Sequence, residues 1–411
     1  MHKTTNGKAQ TILVTDCGRS NAIAVIRSLG RLGYHLVAAD FSSDSLGFHS
    51  RYAHERLVYP APESSPDAFG ACLLEVVQRQ RVDLIVPITD LAIQPLAQER
   101  RRFEEYTQLA IPSDALLQAV TDKAKTVAIA QRLGVPVPLT HRVETVAEAL
   151  AKAGELGWPL VVKPQSSRQL HAGERIESFS VSYAGDAVQL QATMEKLEGH
   201  CAVLLQRYCF GTGMGVELLM SEGEPLAAFQ HKRLREIPVT GGASAYRESV
   251  PLDPDLYRYA VSILAELRYT GLAMVEFKVS REGPVLMEIN GRVWGSLPLA
   301  VASGMDFPGL MAKLYLEGRE AISPLLKNDY ELGVRCRDLQ RDLIWIGQVL
   351  MQRKKYAFLQ IPERKRAMRA LVGILNPRRR FDLLVADDPL PGIFQLPRIV
   401  NKLRSKMNDD E

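Results

Sequence analysis

The stretch Gly271–Arg292, reading GLAMVEFKVSREGPVLMEINGR, constrains the fold more than any other. Its first run alternates, with Met274, Glu276 and Lys278 on one side and Val275, Phe277 and Val279 on the other. A period of two is that of a half-buried strand. Arg281-Glu282-Gly283 reads as a tight turn, and a second run sets Leu286, Glu288 and Asn290 against Met287 and Ile289. Folding about the turn brings Glu276 opposite Glu288 on one face, with Asn290 two residues on. Facing carboxylates destabilise a strand pair. Two of them beside an amide oxygen form a donor set for a hard divalent cation, and Mg2+ keeps positions open for phosphate oxygens. An ordinary hairpin with a solvated polar face would alternate in the same way. Arg292 follows at the strand end, within reach of an anion.

The remaining residues bound the context. A chain of 411 residues holds two or three domains with real cores. Hydrophobic content of 46% and charged content of 24% are those of a soluble globular protein. A net charge of +4 is too small to imply a nucleic-acid partner. The five cysteines are scattered without metal-ligand spacing, which predicts a reduced, cytoplasmic setting. The polar N-terminus leads straight into a strand, so no signal peptide is expected. No apolar run approaches the roughly 20 residues of a membrane span.

Along the chain, Thr11–Thr15 is an apolar run, the helical pattern Ala22, Val25, Ile26, Leu29 and Leu32 follows, and His35–Ala39 is a second strand. This β-α-β unit predicts a parallel sheet. Its turn carries one glycine, Gly18, and no G-x-G-x-x-G, which counts against a dinucleotide fingerprint. Asp40, Thr89 and Asp90 sit at strand ends, where open α/β sheets bind ligands and where capping residues also fall. The first domain runs to about Pro112. Lys123 opens a later helix. The run LGWPLVVKP presents Lys163 at its end, and Gln165-Ser166-Ser167-Arg168 follows. A buried lysine needs a partner, which a phosphate would supply; a lysine solvated at the loop mouth needs none. The strand AVLLQ runs into Arg207-Tyr208-Cys209 and a glycine-rich turn, Phe210 to Gly215. Further on come the cluster His231-Lys232-Arg233-Leu234-Arg235, the small-residue loop Thr240 to Ser244, whose N–H groups suit an anion, and Arg247.

These features in this order resemble the ATP-grasp superfamily: the strand-end lysine, LLQRY, a Thr-Gly-Gly loop and the MVEF…MEINGR hairpin. The nearest type is the carboxylate–amine ligases related to carbamoyl-phosphate synthase ATP-binding domains, over roughly residues 10–320. The resemblance implies an α/β fold in three parts. A parallel-sheet, pre-ATP-grasp domain would span 1–112. A two-lobed α+β ATP-grasp domain would span 113–325, the smaller lobe about 140–207 and the larger about 208–325. A basic helical C-terminal extension would span 326–411. ATP and Mg2+ (or Mn2+) are the implied cofactors, and a small carboxylate and an amine the implied substrates. Glu276, Glu288 and Asn290 resemble the metal ligands. Lys123 and Lys163 resemble the nucleotide lysines, and Gln206, Arg207, Tyr208 and Cys209 the hinge that holds adenine. Arg292 looks like the arginine on the transferred phosphate, and Lys232, Arg233 and Arg247 like the substrate-side wall. The phosphate-covering loop departs from the family in its late Gly173; Ser166, Ser167 and Arg168 are the expected substitute donors. Arg207 stands where the family often has an acid, whose work falls to Gln206 or Glu217. The implied reaction is ligation through an acyl phosphate. A silent ATP-binding sensor or scaffold and a kinase or carboxylase use of the fold are the alternatives, and a homo-oligomer is compatible with either.

Beyond Lys327 three basic clusters, Arg353-Lys354-Lys355, Arg364-Lys365-Arg366 and Arg378-Arg379-Arg380, are interleaved with Leu371, Val372, Ile374 and Leu375. Two readings fit: a surface for peripheral contact with anionic membrane, or a helical subdomain packed on the core with solvated basic faces.

Overall fold

The computed structural model describes residues 9–408 except 166–167, 172–174, 179–180, 240, 323–327, 353–357, 359 and 377. Ser166, Ser167, Gly173, Thr240 and the cluster Arg353-Lys354-Lys355 therefore lie outside the described residues.

Strands β1 (Thr11–Val14), β2 (His35–Asp40), β3 (Glu55–Val58), β4 (Leu84–Val86) and β5 (Gln108–Leu109) form a parallel sheet ordered β3-β2-β1-β4-β5. β1 and β4 are continuously apolar because both faces are covered. Ile12 and Val14 pack with Val25, Ile26 and Leu29 of the helix Ser20–Arg31. Leu13 and Ile85 pack with Phe69, Leu73 and Val77 of the helix Pro66–Arg79. The strand ends carry the ligand-facing loops. Asp40 accepts from the Gly18 N–H at 2.7 Å and the Ser45 hydroxyl at 2.8 Å, so it braces the first loop. Thr89 caps the helix Asp90–Gln98, taking the Ala92 N–H at 3.3 Å.

β6 (Thr140–Val143), β7 (Leu160–Pro164), β10 (Ser182–Ala184) and β11 (Val203–Arg207) form an antiparallel sheet ordered β10-β7-β11-β6. Between them in sequence, β8 (Arg168–His171) and β9 (Arg175–Ser178) pair as a separate hairpin. Helices Val146–Leu156 and Ala187–Met194 cover one face through Ala149, Ala153, Leu156, Leu190 and Met194. The opposite face is left toward the third sheet.

That sheet has seven strands: β12 (Thr212–Ser221), β13 (Glu224–Ile237), β14 (Ala243–Ser249), β15 (Gly271–Ser280), β16 (Gly283–Asn290), β17 (Arg335–Arg337) and β18 (Arg380–Phe381). Their order is β16-β15-β12-β13-β14-β17-β18. Val216, Leu218, Val275 and Phe277 bury one face against the helix Pro254–Glu266. On the other face, Leu219, Phe229, Leu272 and Met274 join the core of the first sheet.

Three expectations need correction. First, the hairpin alternation is not unbroken: the register shifts so that Glu276 faces Glu288 while Phe277 faces Leu286. Met287 is thus the extra residue of a bulge, which turns Leu286 into the apolar core with Phe277 and Ile289. Second, the glycine-rich segment is mostly strand. A Cβ at Gly213 would meet Arg233 Cδ at 2.9 Å, and one at Gly215 would meet His231 Cε1 at 2.4 Å. These glycines make room for the side chains of β13. Third, the C-terminal extension is helical but not only helical, because β17 and β18 continue the third sheet. Its helices are Leu339–Met351, Arg364–Val372 and Leu390–Asn408. Among the described residues no helix is long and apolar enough to cross a membrane.

Candidate functional site

The strand ends of the first sheet, the open face of the second and the polar face of the third enclose a cavity of about 720 Å³. A second space of about 270 Å³ adjoins it and shares Asp90, Lys163, Glu288, Asn290 and Arg292 with it. β16 lines both, and β15 the larger one.

Glu276 and Glu288 stand opposite each other in register. The Asn290 amide donates to Glu276 Oε1 and to Glu288 Oε1, each at 3.2 Å. Arg233 Nη2 lies 2.5 Å from Glu276 Oε1. Glu276 is held above the usual carboxylate range by burial, with the Glu288 charge adding to it and Arg233 pulling the other way. Glu288 lies below that range: burial would raise it, but Lys163, the Asn290 amide, Lys123 and Arg233 together outweigh burial. The pair is thus polarised, one carboxylate resisting ionisation and one favouring it. A divalent cation would relieve that tension, and two carboxylates plus an amide that can turn its oxygen inward fit Mg2+.

Lys163 ends β7 with 7% of its surface exposed and donates to the carbonyl of Met287 at 3.2 Å. The bulge therefore offers the lysine an acceptor across the cleft. Lys123 Nζ donates to the carbonyl of Pro164 at 3.3 Å, and burial pulls its ammonium below the usual lysine value. Asp122 caps the helix Lys123–Arg132 and accepts from the N–H groups of Ala124 and Lys125, which fixes Lys123 in the first turn. Arg292 Nε donates to Asp90 Oδ1 at 2.9 Å and its Nη1 to the carbonyl of Val293 at 3.2 Å. That leaves Nη2 without a hydrogen bond to the described residues.

The hinge residues divide. Gln206 lines the smaller space, with its amide donating to Thr140 Oγ1 at 3.0 Å and its Oε1 without a partner among the described residues. Tyr208 and Cys209 line the larger one. Arg207 turns away and donates to the carbonyl of Leu156 at 2.9 Å, so its charge does not enter the hinge.

Besides Arg207, three candidates are not brought to the cavity. Lys232 falls on the face of β13 opposite Arg233, as strand alternation dictates, and Arg233 is the residue that reaches Glu276. Arg247 is wholly buried and donates to Asp382 Oδ1 at 2.7 Å. Glu217 is also wholly buried. Its Oε1 lies 2.5 Å from His231 Nδ1 and accepts from the Ser296 hydroxyl at 3.3 Å, so it braces the loop after Arg292 instead of meeting nucleotide. Sequence reasoning missed the wall made by Asp338, Gln340, Arg341, Gln395 and Arg398 of the extension. No motif or periodicity marks them, because strands of three and two residues hold that segment in place.

This arrangement, an antiparallel sheet and a mostly antiparallel one facing each other over a carboxylate hairpin and preceded by a parallel sheet, is the ATP-grasp fold. Within the chain, residues 200–335 match the family described as "ATP-grasp in the biosynthetic pathway with Ter operon". Solved structures agree with the fold at low identity. The N5-carboxyaminoimidazole synthetase of Staphylococcus aureus superposes with a TM-score of 0.62 at 15% identity, over 86% of this chain and 91% of that one. The L-amino acid ligase of Bacillus licheniformis gives 0.59 at 16%, over 77% and 78%. The biotin carboxylase domain dimer of the Hydrogenobacter thermophilus 2-oxoglutarate carboxylase, in complex with MgADP, ADP and bicarbonate, gives 0.61 at 18%, over 79% and 73%.

Proposed function

We propose that the chain is a cytoplasmic, ATP- and Mg2+-dependent ligase that joins a carboxylate to an amine through an acyl phosphate. The observation that carries this reading is the in-register pair Glu276–Glu288 bridged by Asn290, facing Lys163 across the cleft. The names of the similar structures, a synthetase, an amino acid ligase and a carboxylase domain, support the general chemistry. The free cysteines among the described residues suit a reducing compartment.

A carboxylate is a poor electrophile until one oxygen becomes a leaving group, and transfer of the γ-phosphoryl of ATP provides that group. Lys163 and Lys123 bring ammonium charge to the phosphate end of the nucleotide, while Gln206, Tyr208 and Cys209 border its base end. Glu276, Glu288 and Asn290 would hold Mg2+, which neutralises and orients phosphate oxygens when bound. Arg292, fixed by Asp90 on one edge, directs Nη2 toward the transferring group, so its charge is in position before reaction. The acid approaches in line and displaces ADP; the amine then attacks the acyl carbon and releases phosphate. No side-chain nucleophile is needed.

The test is ADP release from Mg-ATP across a panel of carboxylates, with hydroxylamine present to trap acyl phosphate as hydroxamate. The expected result is acid-dependent ADP with stoichiometric hydroxamate. ADP without hydroxamate would replace the ligase reading with a kinase. Tight nucleotide binding without ADP release under any acid would favour the silent sensor or scaffold.

A further inference from the structure

The helix Arg364–Val372 and the turn Gly373–Leu375 carry their large apolar residues on the side away from the protein. Inward, only Ala367, Ala370 and part of Ile374 pack against Trp345, Ile346 and Val349 of the helix Leu339–Met351. Outward, Met368, Leu371, Val372 and Leu375 are 51%, 42%, 69% and 84% exposed. Their spacing of i, i+3, i+4 and i+7 makes one continuous stripe. A lone exposed leucine needs no explanation, but four large apolar residues in line, over a helix that hides only alanines, do.

The charge around the stripe is mostly positive, with Arg380 loosely paired to Glu331 at 3.9 Å. Arg364, Lys365, Arg366, Arg369, Arg378 and Arg380 are all exposed. Glu363 is the single acidic residue between positions 363 and 380, and it pairs with Lys365 at 2.5 Å. Arg366, Arg369 and Arg378 have no ion pair among the described residues. None of these residues lines the cavity.

We propose that this face lies on a bilayer surface bearing anionic phospholipid headgroups. The stripe enters the headgroup–acyl boundary, and the guanidinium and ammonium groups reach the phosphates on either side. Long basic side chains suit the task, because their stems stay apolar while their ends stay with the headgroups. The stripe runs along the outer side of one short helix, a shape that meets a plane. The surface is independent of the ligase chemistry, so either reading can fail alone.

The full chain is sedimented with vesicles of phosphatidylcholine alone and of phosphatidylcholine with phosphatidylglycerol. Binding is expected only to the second, weakening as salt is raised. The double variants Leu371→Glu with Leu375→Glu and Arg366→Glu with Arg369→Glu should each bind at least tenfold less, with unchanged melting temperature and unchanged nucleotide binding. The proposal is overturned if the wild type ignores anionic vesicles or if both variants bind like it. It is equally overturned if the wild type self-associates in light scattering, without vesicle binding, and Leu371→Glu abolishes that association. That result would assign the stripe to a second copy of the chain.

Discussion

At Gly215 the lack of a side chain makes room for the buried ring of His231. A Cβ there would sit 2.4 Å from His231 Cε1, and His231 cannot retreat because Glu217 holds its Nδ1 at 2.5 Å. Gly215→Ala should therefore cost about 1–3 kcal/mol, the usual penalty of overpacking, read as a lowered urea midpoint. An unchanged midpoint would mean that the Glu217–His231 brace is loose. Lys163 makes a second residue-scale prediction. Its ammonium donates to the bulged carbonyl of Met287 and faces Glu288. Lys163→Met should weaken binding of ADP about tenfold or more, since a charge-assisted phosphate contact is lost, while the melting temperature changes little. Calorimetry decides it.

At the scale of elements, the bulge at Met287 shows why alternation was only partly legible. The pattern correctly placed Glu276, Glu288 and Asn290 on one face, because the register Glu276–Glu288 lies on the near side of the bulge. It misplaced Leu286, because one extra residue reverses the phase of everything before it. The same holds for Gly213 and Gly215: glycines read as a turn were strand positions emptied for a neighbouring strand's side chains, a relation no single segment reveals. The end of the extension is held by a contact with the first helix, far away in sequence. Asp387 accepts from Arg31 Nε at 2.8 Å and from the Tyr52 hydroxyl at 2.9 Å. The Arg31 hydrogen bond is the largest influence that pulls its carboxyl down to about 2. A depressed carboxyl contributes stability above its unfolded value of 3.8 that is lost as pH falls toward about 2. Protection factors of the amides in the helix Leu390–Asn408, with intrinsic exchange divided out, should accordingly fall between pH 4 and pH 2 in the wild type. In Asp387→Asn that protection should be lost already at neutral pH. Equal exchange in the two proteins at neutral pH would show that this contact does not hold the helix.

For the whole molecule, the extension belongs to the core as much as to the surface. Asp388 takes Arg27 Nε at 2.8 Å with both side chains almost wholly buried, and Asp382 does the same for Arg247 at 2.7 Å. Removing one partner of a buried pair leaves a charge without compensation, at a cost of about 3–5 kcal/mol. A chain ending at Asn376 would lose β18, Asp382 and Asp388 together, so it should be insoluble or melt without a cooperative transition. A soluble truncation with the full-length melting temperature would contradict this account of the fold. The parallel sheet at the start of the chain was legible from apolar runs and strand-end residues, since those signals are local. The folding-back of residues 380–400 onto the helix Ser20–Arg31 was not, because it depends on ion pairs some 350 positions apart in sequence.

The central claim is that Glu276, Glu288 and Asn290 form the metal side of a nucleotide cleft. Titration calorimetry of ADP, with and without Mg2+, on the wild type and on Glu288→Gln tests it most directly. The account predicts that Mg2+ tightens ADP binding to the wild type by about tenfold or more, and that Glu288→Gln keeps its Mg2+-free affinity and melting temperature but loses the enhancement. A Glu288→Gln protein whose ADP affinity still rises with Mg2+ as in the wild type would contradict it.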